Sequence, residues 1–506
     1  MNQSRVLCFA LFLAVSIALA GCASGPRRVT PADIGQLTAS EIAAGICKGT
    51  FTGEEVTLAY LERAKARTAH NAFVTLNEAG AMQAARDADA RRRSGGVCLP
   101  LQGVPLVVKD NIHVAGLPST AGTPALRNFV PAADAPVVQK LRDAGAVILG
   151  KTSMHELAFG ISGYNPAYNT SANVGVRNAY DVTKMAGGSS SGSGVAIGAR
   201  MAPAALGTDT GGSVRIPCAL NGCAALRPSL GRYSQAGIAP ISHTRDTAGP
   251  MALSMEDVEL MDRVISGAPA ATAADLRSVR VGLVGGFLAN LDSDTQAVFD
   301  AALAKLKAAG MTVVPVEMPQ LAALNGSVSF PVALYEAYDD MVAYLRSSNT
   351  GVTIEQLVAQ IVSPDVKGTY EGLVLPRMLP VPGGGTTPGA PAYQAAMATH
   401  RPALVKLYAD TFRGNGLDAI IFPTTPKTAP IANADASSLA TFGLFIQNTD
   451  PGSNAGVPGI QLPMGIGAGS KLPVGLELDG PANSDRRLIA IGMAMQGVLG
   501  RVPAAP

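Results

Sequence analysis

Residues 187–217 constrain this chain more than any other stretch, because two small-residue segments rich in serine flank a short apolar link. The stretch reads GGSSSGSGVAIGARMAPAALGTDTGGSVRIP, with three consecutive serines in the first segment and Ser213 in the second. Glycines at this density let backbone N–H groups turn inward and approach a ligand closely, since no Cβ blocks access. Hydroxyl groups among such amides indicate chemistry on a carbonyl group.

The composition predicts a globular enzyme. The chain has 506 residues, of which 47% are hydrophobic, and this is enough to bury a large core. The 39 basic and 37 acidic residues nearly balance and form no basic block, so no nucleic-acid partner is expected. The 56 glycines and 35 prolines favour many tight turns over a coiled or disordered chain.

The N-terminus has the pattern of an export signal. Arg5 precedes an apolar run at residues 6–20, which is short for a membrane span and typical of a signal peptide. The run ends in Leu-Ala-Gly-Cys22, which resembles the lipobox of bacterial lipoproteins. We therefore expect residues 1–21 to be removed and Cys22 to carry lipid, with 22–30 as a linker to the membrane. The protein would face the periplasm or the outside of the cytoplasmic membrane; an ordinary signal peptide is the alternative.

The other cysteines give weaker indications. An oxidising compartment permits a disulfide between Cys47 and Cys98, but their spacing does not establish one. Cys218 and Cys223 stand among apolar residues without the spacing of a zinc site, and we expect them to be packed small side chains.

The periodicity predicts a sheet layered with helices in one domain. Two helices are expected within 39–67 and a third near 78–93, before an apolar strand at 104–108 that ends at Lys109. Further strands are expected at 146–149, 279–284, 312–316, 417–422 and around 459–478, with a helix at 292–309. Residues 378–392 read as a Pro/Gly loop, either an entrance lid or a surface excursion.

A serine nucleophile needs a group that takes its proton, and histidine is the usual one. The 187–217 stretch contains no histidine, whereas a lysine kept neutral by burial can serve instead, and Lys109 follows an apolar strand. A GxSxG elbow is disfavoured because a turn-rich segment precedes it. No lysine has a serine three residues before it, and the phosphate-loop and dinucleotide motifs are absent.

Three motifs together resemble the amidase signature family: VVKDNI, GGSSSGSG and GTDTGGSVRIP, with Ser189 and Ser213 24 positions apart. The resemblance extends over nearly all of the mature chain, including FPTTP and KLPVGLELDG. Ser191 departs from it, because the family commonly has glycine there. The resemblance implies an α/β fold with a large mixed β-sheet core covered by helices on both faces, a single domain over residues 31–506.

The resemblance also implies the site. The triad would be Lys109, Ser189 and Ser213, with Ser213 as nucleophile and Ser189, after a cis peptide bond, as proton relay. The remaining implied residues are an oxyanion hole of backbone N–H groups at Thr210, Gly211, Gly212 and Ser213, supporting side chains at Ser190, Asp209 and Arg215, and an acyl pocket with Phe159 and Gly160. No cofactor and no metal are expected, and His155 and His243 are expected to be structural.

The implied reaction is hydrolysis of a carboxylic amide to the acid and ammonia. Segments around 231–252 and 448–465 look closest to the branch that hydrolyses indoleacetamide and mandelamide, so a small aryl or alkyl amide is the expected substrate. A peptide amidase and a catalytically silent binding module are the alternatives. The related glutamyl-tRNA amidotransferase A subunit is cytoplasmic, and the export signal argues against it. The oligomeric state stays open.

Overall fold

A computed structural model describes residues 31–168, 174–381 and 383–506. The predicted signal peptide, Cys22 and the linker therefore lie outside the described residues. Within the described part, no helix combines the length and the apolar character that crossing a bilayer requires.

One large mixed sheet organises the fold. Among the described residues it has eleven strands, in the spatial order β1, β3, β2, β4, β6, β5, β12, β13, β11, β7 and β8. Strands β9 and β10 form a separate two-stranded sheet. The strands are β1 (Phe73–Leu76), β2 (Pro105–Lys109), β3 (Val147–Thr152), β4 (Ala204–Asp209), β5 (Ala224–Arg227), β6 (Thr247–Ala252), β7 (Arg280–Val284), β8 (Thr312–Val316), β9 (Met378–Pro380), β10 (Thr386–Pro388), β11 (Ala419–Pro423), β12 (Gly459–Ile466) and β13 (Pro473–Asp479).

The central strands are covered on both faces. Every residue of β2, β3, β4 and β13 is buried, including the polar residues at the ends of β3, β4 and β13. Ile460 and Gln461 are neighbours on β12, so their side chains point to opposite faces of the sheet. A Cβ added to Gly492, in the helix Asp485–Leu499, would meet Ile460, whereas a Cβ added to Gly475 would meet the Gln461 side chain and Ala219, which lies in the helix Arg215–Asn221. Helices therefore pack on both faces of the sheet. The predicted fold class is confirmed.

The helices surround this sheet, and several begin with a capping box. The Thr38 side chain accepts from the Glu41 N–H while the Glu41 carboxylate accepts from the Thr38 N–H, which satisfies two free donors at the start of the helix. The helices are α1 (Pro31–Ile34), α2 (Ala39–Lys48), α3 (Gly53–Ala66), α4 (Glu78–Arg93), α5 (Pro136–Asp143), α6 (Ser191–Gly198), α7 (Arg215–Asn221), α8 (Met255–Ser266), α9 (Ser293–Ala308), α10 (Leu321–Ser347), α11 (Ile354–Ala359), α12 (Pro364–Thr369), α13 (Gly389–Ala395), α14 (Arg401–Asn415), α15 (Leu439–Ile446), α16 (Asp450–Ala455) and α17 (Asp485–Leu499).

Two expectations are corrected. Cys218 and Cys223 form a disulfide and are not free packed side chains; the αL turn at Gly222 after α7 brings their Cα atoms to 4.6 Å. A second disulfide joins Cys47 and Cys98, the pairing that the sequence left open. Residues 378–392 are not a plain loop, because β9 and β10 pair antiparallel and α13 begins at Gly389.

Candidate active site

Lys109 is the last residue of β2, and its side chain is completely buried. Its Nζ lies 2.8 Å from the Ser189 Oγ and 2.7 Å from the Thr208 Oγ1. It forms no ion pair with a carboxylate within the described residues. A lysine at the end of a strand that is buried on both faces therefore meets hydroxyl groups and not a counterion.

This environment changes the protonation of the lysine. Burial lowers the pKa of Lys109 to about 7, because removal from water disfavours the charged ammonium form. Asp209 and Asp246 act in the opposite direction but do not outweigh burial. A large fraction of Lys109 is thus neutral near neutral pH and able to accept a proton.

The two serine segments lie side by side. The peptide bond between Gly188 and Ser189 is cis, and α6 begins two residues later. The Ser190 N–H donates to the Ser213 carbonyl at 3.1 Å, while the Ser190 Oγ donates to the Thr208 carbonyl at 3.1 Å. The structure therefore brings the segment that carries Ser189 against the loop between β4 and α7 that carries Ser213.

A buried ion network holds that loop. The Asp209 carboxylate accepts from the Gly212 N–H at 2.8 Å and the Val214 N–H at 3.1 Å, and it pairs with Arg215 and Arg227. Although burial alone would raise the pKa of Asp209, the two guanidinium groups hold it well below its usual range. Arg215 also pairs with Glu477, so the loop is tied to β13.

Gly212 allows the closest approach in this loop. Its φ is +139°, and an added Cβ would lie 2.2 Å from the Thr449 Oγ1. The Thr449 hydroxyl donates to the Gly211 carbonyl at 2.6 Å, and the Thr210 hydroxyl donates to Asp246 at 2.6 Å. These contacts brace the segment of residues 210–213, which holds the oxyanion-hole candidates. Of the four predicted donors, the Gly212 N–H is already bonded to the Asp209 carboxylate, so this structure leaves Thr210, Gly211 and Ser213 as candidates.

Ser213 borders a cavity of about 420 Å³. Thr210, Gly211 and Gly212 line the same cavity, as do Phe159 and Gly160. Its other walls are mainly apolar, and the stacked rings of Phe330 and Phe442 contribute an aromatic side. Space next to a row of backbone amides, with apolar walls, suits an amide whose acyl part is hydrophobic.

His155 and His243 lie near the cavity, and each contacts a carboxylate outside the triad. The His155 Nε2 lies 3.0 Å from Asp365, and the His243 Nδ1 lies 3.0 Å from Asp340. Within the described residues, one group could hold a metal ion, formed by His243, Asp340 and Glu336. The oxygens of Glu336 already accept from the Ser242, Thr244 and Tyr393 hydroxyls, so hydrogen bonds account for this group.

Several site residues were not predicted from the sequence. Thr208, the second partner of Lys109, and Asp246, the partner of Thr210, both lie in motifs that carry the resemblance, but neither motif shows what they contact. The part of the cavity wall that lies between residues 320 and 400 has no sequence motif that predicts a site. It includes Phe330, Leu334, Asp365, Leu373 and Pro380. These side chains come from separate helices and a hairpin that meet only in the folded protein.

A family model described as Amidase matches residues 55–489. Together with the fold, this match defines a hydrolase that acts on amide C–N bonds. The chain belongs to the amidase signature family.

Its relatives fit this assignment. The chain is 45% identical to the mandelamide hydrolase of Pseudomonas putida, over 94% of this chain and 93% of that protein. It is 38% identical to an indoleacetamide hydrolase of Agrobacterium vitis, over 86% and 91%. Among solved structures, the peptide amidase of Stenotrophomonas maltophilia matches with a TM-score of 0.78 at 30% identity, covering 93% of this chain and 98% of that one.

We predict that Arg215→Met destabilises the protein by about 3–5 kcal/mol, because it leaves buried carboxylates without their cation. Denaturant unfolding followed by circular dichroism measures this change. Arg277→Met is the matched control, since it removes an exposed ion pair with Asp275 and should leave the unfolding midpoint unchanged. A loss below about 1 kcal/mol for Arg215→Met would contradict the bracing role of the network.

Proposed function

We propose that this amidase hydrolyses small aryl or alkyl carboxylic amides through an acyl-enzyme on Ser213, with Ser189 and Lys109 completing the triad. The observation that carries the proposal is the buried Lys109 Nζ at 2.8 Å from the Ser189 Oγ, without a counterion among the described residues. A lysine in this state is a base, and the adjacent hydroxyl is its natural proton donor.

The proton relay runs in both directions. Neutral Lys109 accepts a proton from Ser189. Ser189 in turn takes a proton from Ser213 as the Ser213 Oγ attacks the amide carbon. The C–N bond then breaks, and the nitrogen takes a proton from Ser189, which Lys109 replenishes. Ammonia leaves, and water attacks the ester on Ser213 through the same relay to release the acid.

The tetrahedral intermediate carries negative charge on the former carbonyl oxygen. Backbone N–H groups of Thr210, Gly211 and Ser213 are the candidate donors to it, whereas the Gly212 N–H already donates to Asp209 and braces the loop. Each such donor typically contributes about 2.7–4 kcal/mol to transition-state stabilisation.

The apolar, partly aromatic cavity supports an arylacetamide substrate, the class that the names of the mandelamide and indoleacetamide hydrolases indicate. Hydrolysis of C-terminal peptide amides is the second candidate, because the structural match to a peptide amidase covers nearly the whole chain.

Ammonia release by the signal-free protein tests the chemistry and the substrate class together. We expect turnover of mandelamide and indole-3-acetamide to exceed that of an aliphatic amide and an amidated dipeptide. Ser213→Ala, Ser189→Ala and Lys109→Met should each lower kcat by about four orders of magnitude or more, because the triad acts as a unit. No turnover of any amide by a folded protein would favour the binding-module alternative, and preference for the dipeptide would favour the peptide amidase.

The pH dependence follows from the lysine. Because Lys109 must be neutral to accept a proton and its pKa is about 7, kcat/KM should fall as the pH drops through 7. The neutral amide substrate does not titrate near pH 7, so the fall in kcat/KM reports the titration of a group of the free enzyme. A pH profile from 5 to 10 measures it, and a flat profile down to pH 5 would show that Lys109 is not the base.

We also propose that the mature protein is a lipoprotein held to a membrane by Cys22, on the strength of the lipobox-like sequence. In a bacterial host the full-length protein should sediment with membranes, and Cys22→Ser should release it to the soluble fraction. Equal membrane association of both proteins would refute the anchor.

A further inference from the structure

A second cavity of about 220 Å³ adjoins the 420 Å³ cavity that Ser213 borders. Three residues line both cavities: Ala158, Thr210 and Ile241. The second cavity also reaches Thr208, whose Oγ1 lies 2.7 Å from the Lys109 Nζ. It therefore approaches the proton relay without passing through the space that the acyl group occupies.

Asn111 lines this cavity, and one acceptor of its side chain lacks a donor among the described residues. Asn111 is 3% exposed, and its Nδ2 donates to the Thr208 Oγ1 at 3.1 Å and to the Ala239 carbonyl at 3.2 Å. Its Oδ1 is buried and accepts no hydrogen bond from the part of the chain that the structure describes. A buried carbonyl oxygen left in this state costs free energy, so it favours a ligand that brings an N–H or O–H group.

The same wall carries an uncompensated carboxylate. Asp246 is 9% exposed and accepts from the Thr210 hydroxyl and the Ile241 and Ser242 amides, but it forms no ion pair with any described residue. Asp209, by contrast, is paired with two arginines.

A second carboxylate, that of Asp340, lines the same cavity. Asp340 there lies against the His243 ring at 3.0 Å. The same ring lies 3.6 Å from the Glu336 carboxylate, whereas Asp246 has no such cationic or imidazole partner among the described residues.

We infer that this second cavity binds the leaving group, as ammonia or ammonium, beside Asn111 and Asp246. The inference rests on the proposed function, because an acyl group on Ser213 would fill the first cavity while the nitrogen departs. Ammonia offers three N–H groups, and ammonium offers four and a positive charge. Both match a wall whose Asn111 Oδ1 and Asp246 carboxylate have, respectively, no donor and no ion pair among the described residues.

Inhibition of ester hydrolysis by ammonium chloride tests the site, because an ester releases no ammonia of its own. We expect ammonium to slow hydrolysis of ethyl mandelate by the wild type, since a cation beside Lys109 opposes the charge that the lysine must take up. Potassium chloride at the same ionic strength should not. Rates are expressed relative to each protein without ammonium.

Two variants and a matched control make the test specific. Ala343→Trp places an indole in the cavity and Asp246→Asn removes its charge; each should raise the half-inhibitory ammonium concentration about tenfold. Val342→Trp adds the same ring at an exposed neighbour on α10 that lines neither cavity, and it should behave like the wild type. Equal inhibition of all four proteins, or no ammonium-specific inhibition of an active wild type, would overturn the inference.

A crystal of the wild type soaked in methylammonium chloride gives a readout that does not depend on turnover. We expect methylammonium within hydrogen-bond distance of the Asn111 Oδ1. If the folded protein hydrolyses neither amide nor ester, the proposed function fails and the soak alone decides whether the cavity binds an amine. An empty cavity at saturating methylammonium overturns the inference.

Discussion

The burial of Lys109 without a counterion in the part of the chain that the structure describes is the constraint on which the site depends. A charged ammonium in a fully buried position is unfavourable, and the protein resolves this by favouring the neutral amine and surrounding it with hydroxyl groups. Such a position requires a strand covered on both faces. Strand β2 meets this requirement, because it lies between β3 and β4 in the sheet and is buried along its whole length.

The second requirement is a loop that holds its amides in place before substrate arrives. Asp209 accepts from two backbone N–H groups of the 210–214 loop, and Arg215 connects this carboxylate to β13. Charge that is costly to bury is retained here because each carboxylate and guanidinium has partners. The ion network holds the loop in its conformation. The negative charge that forms on the reacting carbonyl oxygen is stabilised by the backbone N–H groups of the loop and not by the network itself.

Sequence reasoning reached the parts of the fold that local patterns encode. Strand β2 ending at Lys109 follows from a short apolar run, the helix at 78–93 is expected from a charged segment, and the family resemblance brought Ser189 and Ser213 into one site. It missed what tertiary contact decides. The disulfide of Cys218 and Cys223 depends on the αL turn after α7, and the pairing of β9 with β10 depends on a register that a Pro/Gly-rich sequence does not display. Phe330 and Asp365 enter the cavity wall from segments whose own sequences carry no sign of a site.

In the proposed mechanism Ser213, and not Ser189, carries the acyl group. Labelling the protein with an alkyl fluorophosphonate, followed by peptide mass spectrometry, distinguishes the two serines. We expect one adduct, on Ser213, which forms in the wild type, is lost in Ser213→Ala and forms much more slowly in Lys109→Met. An adduct on Ser189, or labelling that persists in Ser213→Ala, would contradict this mechanism.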